Sequence, residues 1–332
     1  MQRRTALIGL ATALTAPTLT ASPVAVVGQT EVIQLTTPGG RRFEVRLRWP
    51  RGAKGPLPLI VFSHGLSSNM DAFSRTSEAW VRAGYITAHP AHADSIRPSP
   101  LRTKLGEDLA IVMRQLAMSA NDPDARAELV RKLEDPAYLE SRISDVTRLL
   151  SAGLDGNGWP SGAPSVDHRR IGMAGHSYGA YTTMALGGAQ IFTTAIARDF
   201  SDARFGALMV ISGQGPGRMG LRANSFDRLL RPTLWVSGSK DYGANGETPE
   251  WRLEPWRLSP PRDKYKVFVE GARHVDFDAP PNQPEATDTL HAREICFWNA
   301  YLKTSNTARE GITAPTPDGI TILKRTSSTP RD

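Results

Sequence analysis

One cysteine, Cys296, stands in 332 residues, so no internal disulfide can form and the core alone must hold the fold together. Cys296 falls in EICFWNAYL, an apolar helical pattern in which a thiol packs as a small hydrophobe rather than serving as a reactive group. Lys and Arg outnumber Asp and Glu by 40 to 33, yet no basic run with interleaved aromatics occurs, which excludes a nucleic-acid footprint. The net charge of +7 is spread out and leaves only a general attraction to anionic surfaces. No internal repeat is present. The one apolar stretch that approaches spanning length, at the N-terminus, is interrupted by Thr residues and by Pro17, so no stable membrane span is expected. His89, His92 and Asp94 form H-x-x-H-x-D, but no further His or Glu completes a zinc spacing, so no metal is expected there.

The start of the chain, MQRRTALIGLATALTAPTLTASPVA, carries Arg3-Arg4, then an uncharged apolar run, then small residues around Ala21 suited to cleavage. Residues 1–21 therefore read as an export signal, by the twin-arginine or the general secretory route, to the periplasm or beyond the cell. Its removal takes away Arg3 and Arg4 and no acid, lowering the net charge by two to +5. The remainder reads as one domain, 22–304, with a tail at 305–332. Glu31–Thr36 and Arg42–Trp49 alternate around Pro38-Gly39-Gly40 and predict a hairpin. PLPLIVFS, residues 56–63, is a continuous apolar run of the kind buried on both faces of a parallel sheet. A helix over Asp71–Ala83 and a strand over Tyr85–His89 follow, so the class is α/β, a mostly parallel sheet covered by helices on both faces. Residues 92–166, with helices expected at Leu105–Ala120 and Glu140–Ala152, exceed what one crossover needs and read as a helical insertion or partial cap. Later strands are expected at Phe205–Ser212, Pro232–Ser237 and Tyr265–Glu270, a long helix at Thr287–Lys303, and a last strand at Ile320–Leu323.

The rest is organised around HRRIGMAGHSYGAYTTMAL, residues 168–186. A short buried strand, then Gly175-His176-Ser177-Tyr178-Gly179, then a small-residue helix is the setting that G-x-S-x-G requires. The two glycines remove Cβ atoms from a very tight turn and leave Ser177 exposed near a helix N-terminus, where negative charge is favoured. A serine hydroxyl is a poor nucleophile until a base takes its proton, and the base needs an acid to fix its tautomer. Asp241 follows the strand TLWVSGSK and His274 follows the strand YKVFVE, so both fall in loops at the same sheet edge as Ser177, in the chain order Ser, Asp, His. Other acids lie near in the chain. Asp227 and Asp263 belong to the opposite edge, and Asp276 and Asp278 follow His274 too closely to reach its far nitrogen.

With FSHGL and GHSYG in place, the chain resembles the α/β-hydrolases over residues 57–300. It is most similar to the platelet-activating-factor acetylhydrolase and dienelactone-hydrolase-like esterases. That resemblance implies an α/β-hydrolase fold and an oxyanion hole built from the backbone N–H groups of Leu66 and Tyr178. It departs from the pattern at Ala180, where a glycine is common, and in having serine where dienelactone hydrolases use cysteine, which favours ester substrates. The expected activity is that of an exported serine carboxylic-ester hydrolase without a cofactor, acting on a small or lipid-like ester. A lipase-like, phospholipid or polyester hydrolase, a peptidase and a non-catalytic binding protein stand as alternatives.

Two features invite other readings. Gly215-Pro216-Gly217-Arg218-Met219-Gly220 is a literal G-x-G-x-x-G, but Pro216 lacks the N–H that a dinucleotide phosphate would need. Trp251 and Trp256 fit an acyl pocket or loop packing equally well.

Overall fold

The computed structural model describes residues 28–96, 123–193, 195–279, 284–316 and 319–326. The expected signal at 1–21, the expected helix Leu105–Ala120 and the last six residues lie outside the described residues. Among the described residues no helix is long and apolar enough to cross a membrane.

Strands β1 (Gly28–Thr36) and β2 (Arg42–Pro50) form the predicted hairpin, Ile33 opposite Val45 and Leu35 opposite Phe43, with one face buried as the alternation requires. β3 (Leu57–Ser63) is buried almost throughout. Helix α1 (Ser74–Arg82) then leads to β4 (Ile86–Pro90). Helices α2 (Pro123–Glu134) and α3 (Pro136–Asp155) precede β5 (Val166–His176), and α4 (Tyr178–Leu186) follows it after a single residue, Ser177. α3 starts earlier than its apolar periodicity suggests because the Asp135 side chain accepts from the Ala137 N–H and Pro136 sits at the first turn. It ends at Gly156, whose φ of 73° is left-handed. A two-stranded ribbon of β6 (Ile191–Phe192) and β7 (Ala197–Arg198) leads to β8 (Ala207–Ile211) and β9 (Thr233–Lys240). The short helix α5 (Glu254–Leu258), β10 (Lys264–Arg273), α6 (Pro284–Leu302), α7 (Asn306–Gly311) and β11 (Ile320–Lys324) complete the chain.

Among the described residues nine strands form one sheet in the order β1-β2-β4-β3-β5-β8-β9-β10-β11. The six central strands from β4 to β10 are parallel, and antiparallel pairings join β2 to β4, β1 to β2 and β11 to β10 at the edges. One apolar cluster covers one face with Leu139, Val146 and Leu149 of α3 and Met184 of α4, while the other face packs on Trp80 of α1 and Phe297 and Trp298 of α6. α4 is buried at every position, as expected of a helix that is apolar all round.

This topology fixes where a site belongs. From β3 the chain moves to β4 on one side, and from β5 it moves to β8 on the other, so β3 and β5 are neighbours whose connections diverge. Ligands of open parallel sheets bind outside the carboxyl ends of such a pair. Ser63 pairs with Gly175 across that boundary, so the turn after β3 and the turn after β5 lie side by side.

Candidate active site

Ser177 is the lone residue between β5 and α4, with φ 55° and ψ −118°, a conformation that a side-chain-bearing residue rarely adopts. The turn is tight enough that a Cβ on Gly175 would overlap the Gly179 carbonyl, and one on Gly179 would overlap the Ser63 carbonyl. Those two contacts are the physical reason for glycine at both flanking positions, and the Ser177 N–H is tied to the Ile211 carbonyl of β8 at 2.9 Å.

The three side chains expected to share the chemistry meet. The Ser177 hydroxyl lies 2.9 Å from Nε2 of His274, and Nδ1 of His274 lies 2.8 Å from Oδ1 of Asp241. Since a carboxylate only accepts, Nδ1 carries the proton and Nε2 is left to receive the Ser177 proton. Asp241 is fully buried, His274 is partly exposed and Ser177 is half-buried.

Four residues around this chain carry no sequence signal of their own. Arg252 is buried with Nε 2.8 Å from Asp241 Oδ1, and its other nitrogens donate to the carbonyls of Ser212, Gly213 and Tyr242. The hydroxyls of Ser212 and Ser237 donate to Asp241 Oδ2 at 2.6 and 3.0 Å. Burial pushes the Asp241 carboxyl up, but the Arg252 charge and the bonds from His274 and Ser212 outweigh it and hold it at about 2. Burial and then the Arg252 charge lower His274, against the opposing pull of Asp241. His176, the variable residue of the elbow, donates from Nε2 to the His274 carbonyl at 2.6 Å and packs ring on ring against His274 at 4.8 Å. Burial, then the neighbouring His274, lower His176 to about 3, so it stays neutral and keeps that bond.

The turn His64-Gly65-Leu66 runs beside the elbow, and a Cβ on Gly65 would stand 3.5 Å from Cβ of Ser177. Neither the Leu66 N–H nor the Tyr178 N–H meets an acceptor among the described residues. The other acids point elsewhere. Asp276 pairs with Arg273, Asp278 accepts from the N–H and hydroxyl of Thr76, and Asp263 faces Arg309 and Lys324. Asp227 follows a short 3₁₀ turn that precedes β9.

His89, His92 and Asp94 do not converge. His89 pairs with Ser77, His92 bridges Ser63 and Asp145, and Asp94 pairs with Arg142. Gly215 is packed against Trp251, whose indole N–H donates to the Pro216 carbonyl, so that glycine stretch is a loop folded on a tryptophan. Trp256 is buried in the core cluster beneath Lys266. Trp251 therefore packs that loop, and Trp256 packs in the core.

No family model matches the chain. Among solved structures, a ferulic acid esterase from Streptomyces cinnamoneus is similar, with a TM-score of 0.56 and 17% identity over 92% of this chain and 98% of that one. At that identity the likeness speaks to the fold, and the fold is the α/β-hydrolase fold.

Proposed function

We propose that this chain is a serine carboxylic-ester hydrolase that works through an acyl-enzyme, with Ser177 as nucleophile, His274 as general base and Asp241 as its orienting acid. The observation that carries the reading is the unbroken hydrogen-bond chain from Ser177 through His274 to Asp241 at a strained elbow. As the Ser177 oxygen forms a bond to the ester carbonyl carbon, its proton passes to Nε2 of His274 and the carbonyl electron pair moves onto oxygen. The N–H groups of Leu66 and Tyr178 take that oxyanion, each contributing a few kcal/mol of transition-state stabilisation. Collapse expels the alcohol, which receives the proton from His274. Water then repeats the sequence on the acyl-enzyme and releases the acid. The reaction as written uses no cofactor.

FSHGL and GHSYG support a place near the platelet-activating-factor acetylhydrolase and dienelactone-hydrolase-like esterases, and the esterase neighbour brings ferulic acid esters into consideration. We further propose that residues 1–21 direct export, which N-terminal sequencing of the periplasmic or secreted protein would test. The activity is tested with a fluorophosphonate label and a panel of p-nitrophenyl esters of rising acyl length, with methyl ferulate and a peptide substrate beside them. Ser177→Ala should abolish labelling and nearly all turnover while the far-ultraviolet circular dichroism stays unchanged. Labelling that survives in Ser177→Ala would remove Ser177 from the role.

A further inference from the structure

Behind the turn that carries Leu66 lies a buried charged cluster that the steps above do not use. Arg142 of α3 reaches in with a guanidinium that is wholly shielded from solvent. Its Nε and one terminal nitrogen grip Asp94 at 3.0 and 2.6 Å in a two-point pair. The same terminal nitrogen donates to the Gly65 carbonyl at 3.2 Å, and the other donates to the His64 carbonyl and to the Ser63 hydroxyl. Asp94 in turn accepts the Ser67 N–H at 2.9 Å. One cation thus holds the polar backbone groups on both sides of Leu66, and it also lies 4.8 Å over the ring of Tyr178, whose N–H is the other proposed donor.

The cluster is braced from behind. Ser63, His92 and Asp145 form a second Ser-His-Asp hydrogen-bond chain, at 2.9 Å for each link, with Arg41 closing it on Asp145. All three of its members are buried and Ser63 is already claimed by Arg142, so this chain anchors rather than attacks. His64 adds a further donor. Its Nδ1 lies 2.7 Å from the Gly65 carbonyl, which can only accept, while Nε2 takes the Ser95 hydroxyl at 2.6 Å.

We propose that Arg142 is a positioning residue for the oxyanion site, acting through the Gly65–Leu66 peptide. The carbonyl of Gly65 and the N–H of Leu66 belong to one planar trans peptide and point in opposite directions. Two donors, Arg142 and His64, pin the carbonyl toward the interior, so the N–H is held toward the Ser177 side without help from substrate. A peptide free to rotate would offer that donor only part of the time, and preorganised donors are what make an oxyanion site effective. This inference rests on the ester-hydrolase reading.

The test is Arg142→Lys. A point-like ammonium cannot reproduce a two-point grip on Asp94 together with two carbonyl bonds. Loss of a whole oxyanion donor costs about 10²–10³ in kcat, so partial misplacement should lower kcat by about 10–100-fold with little change in KM. Binding of a boronic acid that mimics the tetrahedral intermediate should weaken by the same factor, while the pH profile set by His274 stays in place. A folded Arg142→Lys protein with wild-type kcat and wild-type boronate affinity would overturn the proposal. Should Arg142→Lys fail to fold, His64→Leu and His64→Asn decide it. The Leu variant should lose kcat, and the Asn variant, whose amide N–H stands near the position of Nδ1, should recover much of that loss. Equal losses in both would count against control through the Gly65 carbonyl. A wild-type protein that neither labels with fluorophosphonate nor turns over any ester would instead defeat the ester-hydrolase reading itself, and this inference with it.

Discussion

His274 lies between charges of opposite sign, and their balance sets the pH at which it can take a proton. Burial lowers its pKa first, Arg252 lowers it further, and the Asp241 bond only partly restores it, leaving it below 6.5. The base must be neutral, so activity is present above the folded-state pKa and is lost as pH falls through it. The acid limb of kcat/KM should therefore lie below 6.5. Arg252→Gln removes a charge that holds the value down, so the limb should move to higher pH, read on enzyme whose active sites have been titrated. A limb that stays in place would show that the Arg252 charge does not reach the imidazole. The acid can be checked in the same assay. Asp241→Asn should lower kcat on the scale of about 10⁴, as for this change in serine proteases, because an amide favours the wrong tautomer of the histidine. Asp227, Asp263, Asp276 and Asp278 converted to Asn in turn should each cost far less, and a larger loss at any of them would displace Asp241 from the role.

The elements that carry these groups are fastened to each other by buried polar contacts as well as by the core, and the α1–α6 pair shows what such a contact costs. Trp80 of α1 donates its indole N–H to Glu294 of α6 at 3.1 Å, beside the edge-on contact of Trp80 and Trp298. Glu294 is buried, and burial raises its carboxyl well above 4.5, with Asp278 adding to the rise and the Trp80 bond opposing it. A carboxyl whose folded pKa is raised binds its proton more tightly folded than unfolded. Its contribution is full below the unfolded pKa and drains away as pH rises above 4.5 toward the folded value. Glu294→Gln keeps an acceptor for Trp80 and has no proton to lose, so its stability in urea should exceed that of the parent by a margin that grows from acidic to neutral pH. A margin that is absent, or that does not change with pH, would mean that Glu294 is not carried neutral in this interface.

Across the whole molecule, what could be read from the sequence is what local pattern controls. The glycine spacing about Ser177, the apolar run of β3 and the strand-then-acid and strand-then-histidine order gave the sheet, the elbow and the meeting of Ser177, Asp241 and His274. Arg142 could not be read, because an arginine on a helix normally signals a solvent face, and only its contact with a carbonyl 78 residues away reveals its place. Asp94 stands in the sequence only as the end of an H-x-x-H-x-D that completes no zinc spacing, and its place as the counter-ion of that arginine appears only in the fold. Arg252, Ser212 and Ser237 likewise gain meaning only where separate loops close over Asp241. The C-terminal strand is legible, expected at Ile320–Leu323 and formed at Ile320–Lys324, but its place at the end of the sheet beside β10 is not. β11 pairs antiparallel with Tyr265–Val269 of β10, the Gly319 carbonyl takes the Glu270 N–H, and the Arg325 N–H bonds the Lys264 carbonyl. Ending the chain before Gly319 would strip these partners from β10 and leave a row of unpaired backbone groups, a template for pairing with another copy. The truncated protein should melt at a lower temperature and associate with rising concentration in light scattering. Turnover per titrated site should persist, because β9 still holds β10 and Asp241 still holds His274. A truncated chain that stays monomeric with an unchanged Tm would show that β11 is dispensable as the cover of that edge.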